Sequence, residues 1–161
     1  MHDTSLLAMK NFVSAFLKPE QEYVIGDLGA QDLNGCYRPL FNGNPRWRYY
    51  GIDVSPGHNV DFVVPLNEPW QLGVSIDVLI SGQTLEHIAQ PWEWINNWRN
   101  ALSKGALVCI IAPHTWDYHA CPIDCWRVWP DGMRGLFDWG ELETIDIYKT
   151  QFDTVGIGRA P

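Results

Sequence analysis

The chain has 161 residues, a formal net charge of −8 and an apolar fraction of 46%. That length fits one domain, 1–161, the apolar content is that of a globular protein, and the negative charge argues against nucleic acid, whose binding rests on basic phosphate contacts. No run of 18 apolar residues occurs, so no membrane span is expected, and the first residues lack the basic and apolar regions of a signal peptide, which points to the cytoplasm.

Four cysteines, at 36, 109, 121 and 125, are scattered and read as reduced thiols. Nine tryptophans are many for a chain this short, and some are expected to line a pocket or surface.

Residues 4–17, within an N-terminal unit of about 1–20, have helical periodicity. Leu6, Met9, Val13, Phe16 and Leu17 share one face, Thr4 or Ser5 suits the cap, and Pro19 follows the end. Tyr23–Leu28 reads as a first, buried strand. It ends in Val24-Ile25-Gly26-Asp27-Leu28-Gly29 and breaks into a turn at Gly29-Ala30-Gln31. Turns at the carboxyl ends of parallel strands hold ligands in open α/β folds. A carboxylate there would repel a pyrophosphate, which wants bare backbone N–H groups, and would attract an ammonium or sulfonium.

The stretch 31–44 is rich in Asn, Gly and Pro, and Pro39 limits any helix to a turn or two. Tyr49–Val54 reads as the second strand. Its Asp53 follows Asp27 by 26 residues, near the spacing at which a second-strand acid accepts from ribose hydroxyls. A ligand with a cationic end and an unphosphorylated ribose fits S-adenosylmethionine better than NAD.

Asp61–Val64 reads as a short third strand and Ser75–Ile80 as a fourth, apolar on both faces as parallel strands are. A helix is expected over Pro91–Ser103, with Pro91 at its first position, Trp94, Trp98, Ala101 and Leu102 as its apolar stripe, and Gly105 as its stop. Ala106–Ala112 is the most apolar run and is expected to be a central fifth strand. The segment 113–130 is dense in His, Trp, Cys and Asp, and long irregular segments in compact domains are often functional. Pro130 opens a short helix to Trp139. Leu142–Lys149 and Thr154–Ile157 alternate like two strands around a turn. The alternation of strands and helices predicts an α/β, Rossmann-like three-layer sandwich. Its sheet is seven-stranded and mostly parallel, with an antiparallel terminal hairpin.

Three matches in order carry a family resemblance: Asp27-Leu28-Gly29 followed by Gly51-Ile52-Asp53; Ile76-Asp77-Val78-Leu79-Ile80-Ser81-Gly82-Gln83-Thr84-Leu85-Glu86-His87-Ile88; and Leu102-Ser103-Lys104-Gly105-Ala106. On these the chain resembles a class I S-adenosylmethionine-dependent methyltransferase, small and type-11-like. The segment from His119 to Met133 is similar to that of a bacterial subgroup within it. The resemblance implies transfer of the sulfonium methyl to a small polar acceptor, a sugar or other hydroxyl compound. It departs in two places. The Gly-x-Gly-x-Gly of the family is Gly29-Ala30-Gln31-Asp32-Leu33 here, and Pro65-Leu66-Asn67-Glu68 stands where a third-strand acid helps hold adenine. These losses keep open a non-catalytic S-adenosylmethionine-binding or scaffold module.

The expected cofactor residues are Asp27, Gly29, Gln31, Asp53, Val54, Ser81, Gly82 and Gln83. His119 is the preferred proton acceptor and His87 a second candidate. His114, Asp124, Trp126 and Arg127 are the expected acceptor contacts, set against a rigid loop in which Asp124 and Arg127 pair internally. No metal is expected: Gln83 replaces the first carboxylate of a Glu-x-x-Glu-His site, and the His and Cys after strand five match no closed zinc pattern.

Overall fold

The computed structural model describes residues 3–66 and 68–161, so Asn67 of the stretch Pro65–Glu68 lies outside the described residues. Among the described residues seven strands form one sheet in the order β3-β2-β1-β4-β5-β7-β6. They are β1 (Tyr23–Leu28), β2 (Trp47–Asp53), β3 (Phe62–Val63), β4 (Ile76–Gly82), β5 (Leu102–Pro113), β6 (Glu143–Lys149) and β7 (Asp153–Arg159). The first five are parallel, and β7 runs antiparallel between β5 and β6. The expected hairpin is therefore present with its second strand inserted inside the sheet.

Among the described residues three α-helices complete the sandwich: α1 (Asp3–Phe16), α2 (Pro91–Arg99) and α3 (Pro130–Trp139). On one face, Ala8, Met9 and Phe12 of α1 pack on Ile25, Val78, Ile80 and Ile111. On the other, Trp94, Ile95 and Trp98 of α2 and Met133 and Phe137 of α3 pack on Leu28, Leu79, Val108 and Ile110. Both faces of β1 are buried, which is why its sequence lacks alternation.

Two expectations are corrected. Of the expected α1 face, Met9 is buried and Val13, Phe16 and the following Leu17 pack on the same core, but Ser5, Ala8 and Phe12 also share the buried side and Leu6 is 36% exposed. Thr4 and Ser5 reach across the fold instead of capping: Thr4 donates to Asp153 Oδ2 at 3.1 Å, and the Ser5 and Tyr37 hydroxyls meet at 2.6 Å. The second correction concerns α2, which ends at Arg99, four residues early. Leu102 pairs with Ile76, and the Ser103 hydroxyl donates to Asp77 Oδ1 at 2.8 Å. Sheet pairing outweighs the weak helix propensity of this stretch. Gly105 sits inside β5 at φ +72° within a register shift rather than ending a helix. Among the described residues, no helix is long and apolar enough to cross a membrane.

Candidate functional site

The strand order reverses between β1 and β4, and a crevice opens there at the carboxyl ends of the strands. A cavity of about 710 Å³ occupies it, within the range of small-molecule sites. Its wall is drawn from the tips of β1, β2 and β4, the segment after β3, and the loop after β5.

Asp27 lines the cavity, yet is only 3% exposed. Burial raises its carboxyl to about 7, against the lowering effect of the Tyr49 hydroxyl, which donates to Oδ2. Tyr49 is held in turn by Asn59, whose Nδ2 donates to the Tyr49 oxygen at 3.2 Å and to the Ala30 carbonyl at 2.7 Å. Arg38 lies 4.4 Å from the centre of the Tyr49 ring and donates to Asn59 and to Asp61. A tyrosine, an amide and a guanidinium thus fix one carboxylate from beneath.

Asp53, at the tip of β2, accepts the Gln31 N–H and the Ser55 N–H, each at 3.1 Å. Each carboxylate oxygen keeps a second lone pair for a ligand hydroxyl. Gly29 turns the chain at φ +74°, and the Thr84 side chain packs so closely that a Cβ on Gly29 would lie 2.1 Å from its oxygen. The Thr84 hydroxyl donates to the Leu28 carbonyl at 3.2 Å.

Gly29, Gln31, Asp53, Val54, Gly82 and Gln83 all line the cavity. Gln83 holds a left-handed φ of +57°, uncommon for a residue with a side chain, and its amide donates to the buried Asp153 at 2.9 Å. Ser81 is outside the wall. It is fully buried, and its hydroxyl donates to the Leu28 carbonyl at 2.9 Å, tying β4 to β1.

The turn after β4 and the loop after β5 divide between the cavity and the rest of the fold. His87 and His119 line the cavity, with ring centres 5.1 Å apart. His114, Asp124, Trp126 and Arg127 do not line it. All five N–H groups of Arg127 are engaged: with both oxygens of Asp124 at 2.7 and 2.8 Å, and with the carbonyls of Trp116, Asp117 and Trp126. Arg127 holds the Asp124 carboxyl well below the usual carboxylate range. Oδ2 of Asp124 accepts the His119 N–H at 2.8 Å. The pair therefore shapes the backbone that presents His119, the internal pairing weighed from the sequence. His114 packs against Trp129 with the two rings tilted, and the Trp126 indole donates to the Ile88 carbonyl.

Several wall residues have no sequence signal of their own. Tyr37 enters because Gly82 has no side chain; a Cβ there would lie 1.9 Å from its hydroxyl. Val64, Leu66, Trp70, Ile88 and Trp94 give an apolar stretch of wall. Trp70 and Trp94 are among the tryptophans whose number suggested a pocket.

No protein-family model matches the chain, and no curated protein matches it in sequence. Solved structures do match in fold. A methyltransferase of Burkholderia thailandensis, 1,6-didemethyltoxoflavin-N1-methyltransferase with bound 1,6-didemethyltoxoflavin and S-adenosylhomocysteine, aligns with TM-score 0.78 over 98% of this chain and 79% of its own, at 13% identity. An S-adenosylmethionine-dependent methyltransferase from Aquifex aeolicus aligns with TM-score 0.69 over 94% of this chain and 89% of its own, at 14% identity. The [4+2]-cyclase SpnF aligns with TM-score 0.70 over 96% and 80%, at 12% identity. The chain has the class I S-adenosylmethionine-dependent methyltransferase fold.

Proposed function

We propose that the chain binds S-adenosylmethionine in the β1–β4 crevice and transfers its methyl group to a small polar acceptor. The observation that carries this reading is the pair of carboxylates at adjacent strand tips in one cavity, Asp27 and Asp53. They suit an ammonium and a ribose diol. The apolar wall of Val54, Val64, Leu66 and Trp70 takes the adenine in place of the missing third-strand acid. The β4 side, with Gly82, Gln83, His87 and His119, faces the methionine and the acceptor.

Methyl transfer is a direct displacement, so the protein contributes mainly orientation and exclusion of water. His119, with His87 beside it, takes the proton from a hydroxyl acceptor. The Nδ1–H of His119 donates to the Asp117 carbonyl at 3.0 Å, which leaves Nε2 free to accept. A small acceptor, and no nucleic acid, fits a chain of charge −8. The rival reading, a module that binds the cofactor without turnover, draws on the single glycine left in the β1 turn.

Calorimetry with S-adenosylmethionine, S-adenosylhomocysteine and NADH tests the reading. The first two are expected to bind and NADH is not. Asp53→Ala is expected to weaken S-adenosylhomocysteine by about 1.5–3 kcal/mol, the range for hydrogen bonds to a charged group. An unchanged dissociation constant in a variant with native melting behaviour removes Asp53 from the site, and tight NADH binding overturns the cofactor.

A further inference from the structure

Glu86 is fully buried, and among the described residues neither carboxylate oxygen meets a donor of another residue. Buried polar groups without partners are rare, and a buried charge needs pairing or a metal. What surrounds this one is specific. Oε1 lies 3.7 Å from His87 Nε2 and 4.0 Å from His119 Nε2, and the three ligating atoms lie within 4.8 Å of one another.

Both imidazoles are set to offer that nitrogen. The Nδ1–H of His87 donates to the Ile123 carbonyl at 2.6 Å, and the Nδ1–H of His119 to the Asp117 carbonyl at 3.0 Å. A carbonyl only accepts, so each neutral ring carries its proton on Nδ1 and turns the Nε2 lone pair inward. This outer arrangement, a second ring nitrogen bonded to a backbone carbonyl, is the one that orients histidine ligands.

The cluster is built by the fold. Glu86 and His87 lie on the single 3-10 turn after β4, Leu85–His87. The loop after β5 is stitched over that turn, with the N–H groups of Cys125 and Trp126 donating to the Glu86 carbonyl at 2.7 and 3.2 Å. The Asp124–Arg127 pair then holds the backbone at His119.

We infer that Glu86, His87 and His119 form a binding site for a divalent cation of the zinc class at the edge of the cavity. Two imidazoles and one carboxylate suit zinc and its transition-metal neighbours, whereas magnesium and calcium prefer oxygen. Ligand atoms about 2.0–2.1 Å from zinc sit roughly 3.4 Å apart in a tetrahedron. The observed spacings are wider by a few tenths of an ångström for the two Glu86 pairs, and His119, on a loop and 36% exposed, can close. His87 and His119 both line the cavity, so the remaining coordination positions face it. There the cation would take an oxygen of the acceptor and lower its proton affinity. That last role alone rests on the methyl-transfer reading, and the base role of His119 then lapses while its ring is a ligand. The sequence counted Gln83 against a metal; the missing ligand comes instead from the loop after β5.

The test is titration of the chelator-stripped full chain with Zn²⁺ by competition calorimetry, repeated with Co²⁺ by absorption. One Zn²⁺ per chain is expected. Affinity should fall about 100-fold or more in His119→Ala, since even outer-shell losses reach 10–100-fold, and likewise in Glu86→Gln. It should be unchanged in Cys121→Ser and Cys125→Ser, and Mg²⁺ should not compete. Cobalt should give visible bands without thiolate charge transfer in the near ultraviolet. Unchanged zinc affinity in His119→Ala, a thiolate band, loss of affinity in either cysteine variant, or equal affinity for Mg²⁺ overturns the site. His119→Ala touches a partly exposed ring on a loop, so it decides the question even where Glu86→Gln does not fold. Binding is read without turnover, so its failure leaves the methyl-transfer reading standing, and failure of S-adenosylhomocysteine binding leaves this site standing.

Discussion

Gly51→Ala is expected to destabilise the protein by about 3 kcal/mol or more, the upper end for overpacking a filled interior. A Cβ at this position would lie 1.8 Å from the Asn59 carbonyl oxygen, a backbone atom that cannot swing aside. That oxygen accepts from Arg38 at 3.1 Å, and Gly51 exchanges hydrogen bonds with Asp61 at 2.7 and 2.8 Å. Asn59 holds a left-handed φ of +72° while its side chain braces Tyr49 and Ala30. Displacing Asn59 therefore loosens the support beneath Asp27 as well as the β2–β3 turn. Urea denaturation of Gly51→Ala beside Gly135→Ala makes the contrast. Gly135 lies in α3 with nothing within 4 Å of its missing Cβ, so alanine there should be neutral or stabilising by up to about 1 kcal/mol. Equal midpoints for Gly51→Ala and the unaltered chain would show that the β2–β3 turn yields freely.

The same residue shows what could be read from the sequence and what could not. Gly51-Ile52-Asp53 was legible as the end of a strand because an apolar run, a glycine and an acid fall in order, and five parallel strands followed from such runs. The partner that makes Gly51 obligatory, Asn59, gave no signal, since its role depends on a left-handed turn and on contacts with β1. The cavity wall divides along the same line. Asp27, Gly29, Gln31, Asp53 and Gln83 were legible because strand tips at a topological switch point face a ligand wherever that fold occurs. Ser81 was one residue off the wall because side chains alternate along β4. The loop after β5 was legible as dense in chemistry but not as to which groups face inward: Arg127 and Asp124 close on each other, while His119 turns to the cavity. Glu86 stood in the sequence only within the matched run Ile76–Ile88, and only the loop folding back over it shows a buried carboxylate beside two imidazoles. The end of α2 was misplaced because Leu102 and Ser103 are claimed by β4 across the sheet, a pairing no local pattern encodes.

Asp27 gives a pH dependence that one substitution isolates. Its carboxyl is raised from 3.8 to about 7, by burial above all, with Asp53 adding to the rise and Tyr49 and Arg38 opposing it. Tyr37 and Cys36 also line this end of the cavity. A folded-state value above the unfolded one means that the native protein holds the proton more tightly. The stabilisation is full below about 4 and is lost as the pH rises through about 7, with a slope of at most about 1.4 kcal/mol per pH unit. Asp27→Asn cannot ionise, so the difference in unfolding free energy between the unaltered chain and the variant is expected to shift by up to about 4 kcal/mol between pH 4 and pH 8, in favour of the variant at the higher pH. Glu86, raised to about 8, titrates in both proteins and cancels in the difference. Ligand binding carries the opposite sign. An ammonium prefers the ionised Asp27, so S-adenosylhomocysteine should bind more tightly as the pH rises through about 7 and should release a fraction of a proton at that pH. Calorimetry in buffers of different ionisation enthalpy reads that release directly. It should vanish in Asp27→Asn. A binding enthalpy at pH 7 that is the same in every buffer would place the cationic end of the ligand away from Asp27 and leave that carboxyl as a structural acid held by Tyr49.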